Sequence, residues 1–500
     1  MRLSKLVSEI KDGKILWGQD WEREIESLSA DSRMVKRGGL FFCLTGGVRD
    51  GHAFASEAVA KGAVALVTER AIETSVPQFV VPNARLALSL IASAFYGYPS
   101  ERMKVVGITG TNGKTTTAHM LCSIWEAQGK RAGMIGTLGV RYGDKKRSST
   151  MTTPDPIELQ KTLSEMCANG VECVAMEVSA HALYYHKTAG VCFSACIFTN
   201  LTQDHLDFFP SMREYEDAKN QLFTNKVCKI AVLNGDDVAG RRFGVARETK
   251  NEEGTLFERN KTLYYGLDTP TESFAIITDE SLFGTECMFN LNDRLCRVSL
   301  SLTGRHNVYN ALAAATCAME LGADVLDVSK GFSLLKTVSG RLERVGSFQG
   351  GEIFVDFAHT PDGLEKSLSA LRLHCKGRLF CLFGCGGNRD KSKRPMMGEV
   401  AAKRSDFSVL TSDNPRYEDP LDIISDIEKG YRRFSMKYVV VPDRKKAINY
   451  ALDRLQKGDV LLIAGKGGEE EQEIMGIKYP FNDNDIIEKI IKEKQEAFLD

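Results

Sequence analysis

The residues with most to say about chemistry lie in VVGITGTNGKTTTAHML, positions 105–121. An apolar run that reads as a buried strand leads into Gly107, Gly110 and Gly113. Lys114, Thr115 and Thr116 follow at once, and then helical patterning. Glycines let a backbone turn sharply and approach a phosphate closely. The helix behind them offers free N–H groups and the positive end of its dipole. Gly110, Thr111, Asn112, Gly113 and Thr116 are therefore expected to cradle a nucleotide's phosphates. Lys114 would reach the β- and γ-phosphates and Thr115 would ligate Mg²⁺. One position departs from the usual phosphate loop: Ile108 stands where a glycine is customary. Such a loop establishes nucleotide binding but not the reaction.

A second group of residues completes a candidate metal shell. The run ECVAMEVSAHAL places Glu177 near the carboxyl end of a strand, where α/β sheets hold ligands. His205 follows the end of the next strand, and Lys219 lies on an expected helix. A carboxylate and an imidazole near a triphosphate would supply oxygen and nitrogen donors. Further along, three loops each follow an expected strand: GCGGNRDKSKRP (384–395), SDNPRYEDP (412–420) and GKGGEEEQE (465–473). Loops at the carboxyl ends of neighbouring parallel strands converge on one crevice. That crevice would offer Arg389 and Arg416 as cations, Asn414 as a hydrogen-bonding partner and Glu469 as an anion. The set suits a zwitterion carrying an extra carboxylate, with guanidinium for carboxylate and Glu for ammonium.

The elements that must position these groups read as α/β throughout. Residues 1–100 alternate short apolar segments (38–44, 63–69, 77–83) with helical patterning, closing on a helix over 84–100. Residues 101–335 carry buried-strand runs at 172–178, 194–201 and 229–235 separated by helical segments, which argues for a mostly parallel sheet. The polar stretch 246–262 reads as a surface excursion with β-like segments after it, and 308–321 as a strong helix. Residues 336–500 repeat the strand–helix alternation at 352–358, 378–384, 407–413, 438–443 and 459–465, a second doubly wound domain. Three domains suit a 500-residue chain.

Composition limits the partners. Lys and Arg number 65 against 66 Asp and Glu, a formal charge of −1, so no general electrostatic case exists for nucleic acid or an anionic membrane. No run reaches about 18 uncharged apolar residues, and MRLSKLVSEIKDGK lacks a signal-peptide core, so no membrane span and a cytoplasmic location are expected. The 13 cysteines contain no CxxC pair. Cys192 and Cys196, four apart, have no second pair to complete a zinc pattern, so reduced thiols are expected.

GITGTNGKTT, TTPDP, MEVSAHAL, TNLTQDHLD, YEDAKNQLF, GRHNVYNALAA, SGRLERV and DFAHTPD, in this order along the chain, resemble the Mur ligase family of ATP-dependent enzymes of peptidoglycan precursor synthesis. The resemblance implies three domains: a UDP-binding α/β N-terminal domain (1–100), a central P-loop ATPase with a mostly parallel sheet (101–335) and a Rossmann-like C-terminal domain for the incoming amino acid (336–500). It implies that Lys219 is carbamylated and joins Thr115, Glu177 and His205 as a Mg²⁺ ligand, with Lys114, Glu177, His205 and Lys219 catalytic. Asn307 and Asn310 would lie near the nucleotide base, Arg341 near phosphate after domain closure, and His359 and Asp356 near ATP or the domain junction.

The segment SADSRMVKRGGLFFCLTGGVRDGHAF (29–54) resembles the UDP-binding region of the family members that add the third amino acid. By that resemblance Ser32 would contact the nucleotide of the UDP-sugar, and Asn112, Thr152, Thr153, Ser179 and Lys187 the sugar-peptide. Tyr185 and Lys187 stand where the family often has Gln and Arg, and Gly468 where GKGHE has its histidine. Asp413, Asn414, Pro415 and Arg416 resemble the motif of members that add meso-diaminopimelate, with Arg389, Gly465 and Glu469 beside it. The implied partners are UDP-MurNAc-L-Ala-D-Glu, meso-diaminopimelate and ATP, acting on a monomer. Addition of L-lysine or another diamino acid such as lanthionine, folylpolyglutamate-type ligation, and a switch that only hydrolyses ATP are the alternatives.

Overall fold

The computed structural model describes residues 1–16, 21–47, 49–149, 151–224, 226–249 and 260–497. Three sheets follow one another along the chain. The first orders its strands Lys14–Leu16, Gln78–Val80, Ala63–Thr68, Gly39–Phe42, Ser27–Ser29, parallel except for the first pair. Its central strands are apolar on both faces, as a parallel sheet covered by helices requires. The helix Ala84–Phe95 packs its Ala87, Leu88 and Ile91 into that core. Asn83 caps this helix by accepting from the Leu86 N–H at 2.9 Å.

The second sheet has eleven strands. Its middle is parallel: Lys261–Gly266, Cys228–Asn234, Phe193–Phe198, Lys104–Thr109, Cys173–Glu177 and Ala132–Gly136 lie side by side in that order. Their carboxyl ends therefore share one edge, and Thr109, Glu177, Phe198 and Asn234 all arrive there. An antiparallel meander, Ser273–Ser281, Gly284–Leu291 and Leu295–Leu300, extends one side, and the hairpin Gly139–Tyr142 and Lys145–Arg147 the other. The alternation of buried with half-buried residues in Gly284–Leu291, and of buried with exposed ones in Leu295–Leu300, marks a sheet whose one face is the more deeply covered. Helices Lys114–Ala127 and Arg305–Glu320 fill that covered face with Leu121, Ile124, Trp125, Ala311 and Ala315.

The third sheet runs Glu343–Phe348, Gly351–Asp356, Val460–Ala464, Leu379–Phe383, Phe407–Leu410, Tyr438–Val440, and only its first pair is antiparallel. Two readings are corrected. The stretch 465–473 is not loop throughout: Glu471–Ile474 is a strand, paired with Ile477–Pro480 in an exposed hairpin. The stretch 246–262 is helical up to Thr249 and becomes a strand at Lys261, while residues 250–259 lie outside the described residues.

All thirteen cysteines are free thiols. Cys192 is exposed while Cys196 is buried. Burial pushes the Cys43, Cys122, Cys287 and Cys385 thiols up to about 12. Among the described residues no helix is long and apolar enough to cross a membrane.

The third sheet is tied to the C-terminal helix Asp483–Ala497 by a wholly buried ion pair. Arg444 donates from Nε and Nη2 to the Asp483 carboxylate at 2.8 and 2.7 Å, and Nη2 also reaches the Ala464 carbonyl at 3.0 Å. Removing one member leaves the other charge buried alone. Asp483→Ala should cost the third unit about 3–5 kcal/mol, read as an earlier urea midpoint.

Candidate active site

The carboxyl-edge loops of the second and third sheets enclose a cavity of about 1120 Å³. Its floor is the phosphate loop. Gly113, at φ 90°, hands the chain into the helix Lys114–Ala127, and a Cβ at this position would stand 2.3 Å from the Asn310 Oδ1. Only glycine meets both demands. The Lys114 ammonium turns back to donate to the Gly110 and Thr111 carbonyls, each at 2.9 Å. From below, the Lys219 Nζ donates to the same Gly110 carbonyl at 3.1 Å.

Lys219 sits on the helix Met212–Asn220, whose start Ser211 caps by accepting from the Glu214 N–H at 3.2 Å. Lys219 is buried and lies over the Tyr215 ring at 4.3 Å. Burial, with the Lys114 charge beside it, holds its pKa well below the ordinary lysine value. Burial also lowers that of Lys114, against the pull of Glu177.

Thr115, Glu177 and His205 line the cavity. Glu177 is fully buried and accepts from the Thr137 N–H at 3.0 Å and its hydroxyl at 3.1 Å. Gly136 makes its room, since a Cβ there would lie 2.1 Å from the carboxylate. His205, at φ 57°, packs edge-on against His181 with centroids 4.8 Å apart. Burial pushes its pKa to about 3, although Asp204 pulls the other way, so the imidazole is neutral with a free lone pair. Among the described residues no three carboxylate, imidazole or thiol groups form a ready metal cluster.

The wall beyond Glu177 is hydroxylic. Thr153 donates to the Glu177 carbonyl at 3.0 Å and accepts from the Ser179 N–H at 3.0 Å, and Thr152 meets the Thr137 hydroxyl at 3.1 Å. The Lys187 ammonium pairs with Asp155 at 2.8 Å, and the Arg85 guanidinium stacks over Tyr185 at 4.7 Å. On the opposite wall Asn307 donates to the Thr303 carbonyl at 2.8 Å and accepts from Asn310 at 3.3 Å.

The third sheet closes the cavity through charged contacts. Arg341 donates from Nη2 to the Thr115 hydroxyl at 2.8 Å. Asn112 of the phosphate loop donates to Asp362 at 2.9 Å, and Lys366 to the same oxygen at 2.8 Å. Asp204 gathers His205 at 3.4 Å, His359 at 3.8 Å and Lys393 at 3.7 Å. Burial alone would raise the Asp204 pKa, but the hydrogen bond from His359 and the nearby Lys393 ammonium help hold it well below the carboxylate range. Asp356 accepts from the Leu342 N–H at 2.6 Å and so fixes the turn that carries Arg341.

Arg389, Asp413, Asn414, Arg416, Gly465 and Glu469 face the same space. Arg389 is exposed and makes no hydrogen bond or ion pair among the described residues. Asn414 donates to Glu469 at 2.9 Å, and the buried Lys466 spans both, 3.1 Å from the Asn414 oxygen and 2.9 Å from Glu469. Arg416 is not a free cation: it donates from Nε to Glu473 at 3.1 Å and from Nη1 to the Gly387 carbonyl at 2.8 Å.

Four of the sequence-derived residues do not line this cavity. Gly110 and Lys219 lie beneath the loop, Pro415 turns its carbonyl to the Glu418 N–H at 3.0 Å, and Ser32 is buried in the first unit, donating to Glu57 at 3.1 Å. Asp204, His181, Asp362, Lys366, Lys466 and Glu473 escaped the sequence reading. Lys466 stood between two glycines and Asp204 immediately before His205, signals a closer reading could have used.

Three family models match in order: the Mur ligase family catalytic domain at 24–96, the Mur ligase middle domain at 108–318, and the Mur ligase glutamate ligase domain at 340–467. The chain is 39% identical to the UDP-N-acetylmuramoyl-L-alanyl-D-glutamate–2,6-diaminopimelate ligase of Geobacillus thermodenitrificans, over 99% of this chain and 100% of that one. It is 41% identical to a ligase of the same name, designated 1, from Clostridium acetobutylicum, over 99% and 100%. A solved structure of a protein so named superposes with a TM-score of 0.71 at 29% identity, covering 99% of each chain.

The cavity histidines set a pH dependence. Burial lowers the pKa of His181, of His205 to about 3, and of His306 to about 4. The folded chain thus resists protonation that the unfolded chain accepts near 6.5, so stability is full above that value and falls as pH drops from 6.5 toward 4. Thermal unfolding should come progressively earlier over this window. The His205 ring resonances should show no titration between pH 5 and 8.

Proposed function

The chain belongs to the Mur ligase family of ATP-dependent ligases, and from that premise we propose that it joins meso-diaminopimelate to UDP-MurNAc-L-Ala-D-Glu in peptidoglycan precursor synthesis. The observation that carries the amino-acid choice is the crevice at the end of the third sheet. Arg389 and the unused N–H groups of Arg416 offer cations for carboxylates, while Glu469, whose Oε2 already meets Lys466 and Asn414, offers its Oε1 to an ammonium. Lysine has no distal carboxylate to occupy that second cation.

The nucleotide phosphates lie along Gly110–Thr116, where Lys114 leaves the Gly110 and Thr111 carbonyls for the β- and γ-phosphates. Arg341 reaches the γ-phosphate end from its station on Thr115, and Asn307 and Asn310 line the base side. The sugar-peptide lies along Asn112, Thr152, Thr153, Ser179 and Lys187, with the UDP held by the first unit around Ser32. The D-glutamyl carboxylate attacks the γ-phosphorus of ATP; the bond to ADP breaks and an acyl phosphate forms. The diaminopimelate amine then attacks the acyl carbon, and phosphate leaves as the amide forms. Lys114 and Arg341 stabilise the charge that develops on the transferring group. The remaining work is positioning, which a closed cavity supplies by excluding water.

The donor set fits Mg²⁺. The Glu177 oxygens, the Thr115 hydroxyl and the neutral His205 imidazole are suitable donors, and the depressed pKa of Lys219 leaves its amine free to add CO₂, releasing a proton and becoming a carboxylate-like carbamate. When bound, Mg²⁺ would neutralise phosphate charge. One chain carries every group named here, so a monomer suffices, and substrates of this kind belong to the cytoplasm.

Supplying the UDP-dipeptide, ATP and a panel of amino acids, with product mass as readout, tests the reaction. Arg416→Ala should lower kcat/KM for meso-diaminopimelate about 30- to 100-fold, the loss of a charge-assisted pair, and leave lysine use nearly unchanged. Equal losses on both would refute the distal-carboxylate role. Enzyme supplied with ¹³CO₂ should show a carbamate carbon resonance that Lys219→Ala abolishes together with at least 100-fold of the activity.

A further inference from the structure

The hairpin Glu471–Ile474 and Ile477–Pro480 contributes no residue to the lining of the cavity, yet its first strand grips the segment Asp413–Arg416 atom by atom. The Gln472 side-chain amide donates to the Asp413 carbonyl at 2.6 Å. The Glu473 N–H donates to the Asn414 side-chain oxygen at 2.9 Å. The Arg416 N–H donates to the Glu473 carbonyl at 3.1 Å, and the Met475 N–H to the Arg416 carbonyl at 2.7 Å. Arg416 itself holds φ 52°, a left-handed conformation that a long side chain adopts only when its surroundings impose it. The hairpin is what imposes it.

Glu473 is the one hairpin residue that also holds the Arg416 side chain. Its Oε2 accepts from Nε at 3.1 Å, while the Gly387 carbonyl takes one N–H of Nη1 at 2.8 Å. A guanidinium has five N–H groups in a rigid plane, so two are committed and three remain: both on Nη2 and one on Nη1. Gly386 keeps this end of the group open, since a Cβ there would lie 2.9 Å from Nη1. Two N–H groups are what a carboxylate needs for a bidentate pair.

We propose that Glu473 is a positioning residue for amino-acid selection: it fixes the Arg416 guanidinium by its Nε edge so that the Nη end is presented to the distal carboxylate of the incoming diamino diacid. The inference rests on the reading of the crevice given above. An Arg416 without this anchor would swing among rotamers and forfeit part of the bidentate geometry.

Kinetics of the full-length enzyme with ATP, the UDP-dipeptide and either meso-diaminopimelate or L-lysine decide the matter. Glu473→Ala should raise KM for meso-diaminopimelate about tenfold, with kcat within twofold. KM for ATP, kcat/KM for lysine and the thermal midpoint should stay put. Glu473→Gln, which keeps an acceptor for Nε, should recover most of the loss. An unchanged or lowered KM for meso-diaminopimelate in Glu473→Ala would overturn the inference, the lowered value meaning that Glu473 competes with the substrate carboxylate. An equal loss on lysine would overturn it as well, by reducing Glu473 to scaffolding. A wild-type enzyme indifferent to the distal carboxylate would overturn both this inference and the amino-acid choice. Wild-type preference with no response at Glu473 overturns the inference alone.

Discussion

The Nζ groups of half-buried Lys114 and fully buried Lys219 share the carbonyl of Gly110. Two ammonium charges at one acceptor would repel each other, and loss of water disfavours the charged form of each. The protein relieves this only in part, through the charges of Glu177 and Asp204. The remaining deficit of negative charge is what the rest of the molecule is arranged around. It favours an anion above the loop and a neutral or carboxylated nitrogen below it. It also requires the surrounding carboxylates to be held at fixed distance, which explains why Glu177 is locked by Thr137 and given space by Gly136.

The third unit answers the same demand from the other side. Arg341, His359, Lys366 and Lys393 arrive at the cavity as cations or potential cations, and each is met by an acceptor already in place: Thr115, Asp204, Asp362 and Asp204 respectively. A near-neutral chain thus concentrates its charge around the cavity. The balance of −1 over 500 residues conceals these local fields.

The parts of this site legible in the sequence were those whose meaning is local. The phosphate loop announces itself because strand, glycines, Lys114 and helix fall within one short window, and the crevice loops because each follows an apolar strand. What could not be read are residues that matter only through a distant partner. Asp362 acts on Asn112, Asp204 on His359 and Lys393, and Glu473 on Arg416, and nothing in the spacing of these positions joins them. The hairpin that carries Glu473 has no strand signature in the sequence, because its run of Glu and Gln lacks apolar alternation. Its outer face is exposed, so no such alternation was needed. The meander at 273–300 is the opposite case, since its alternation was there to be found.

The turn at Gly340 touches the Gly467–Gly468 segment backbone to backbone. A Cβ at Gly340 would lie 2.0 Å from the Gly468 nitrogen and 2.5 Å from the Gly467 Cα. Neither segment can retreat alone, for Arg341 next door is anchored on Thr115 and Glu469 on Lys466. Positions remote in the gene are therefore heritably linked: a mutation that adds a side chain at Gly340 is tolerable only in a background whose 467–468 peptide has already shifted. Drift in one segment sets which alleles of the other remain open to selection.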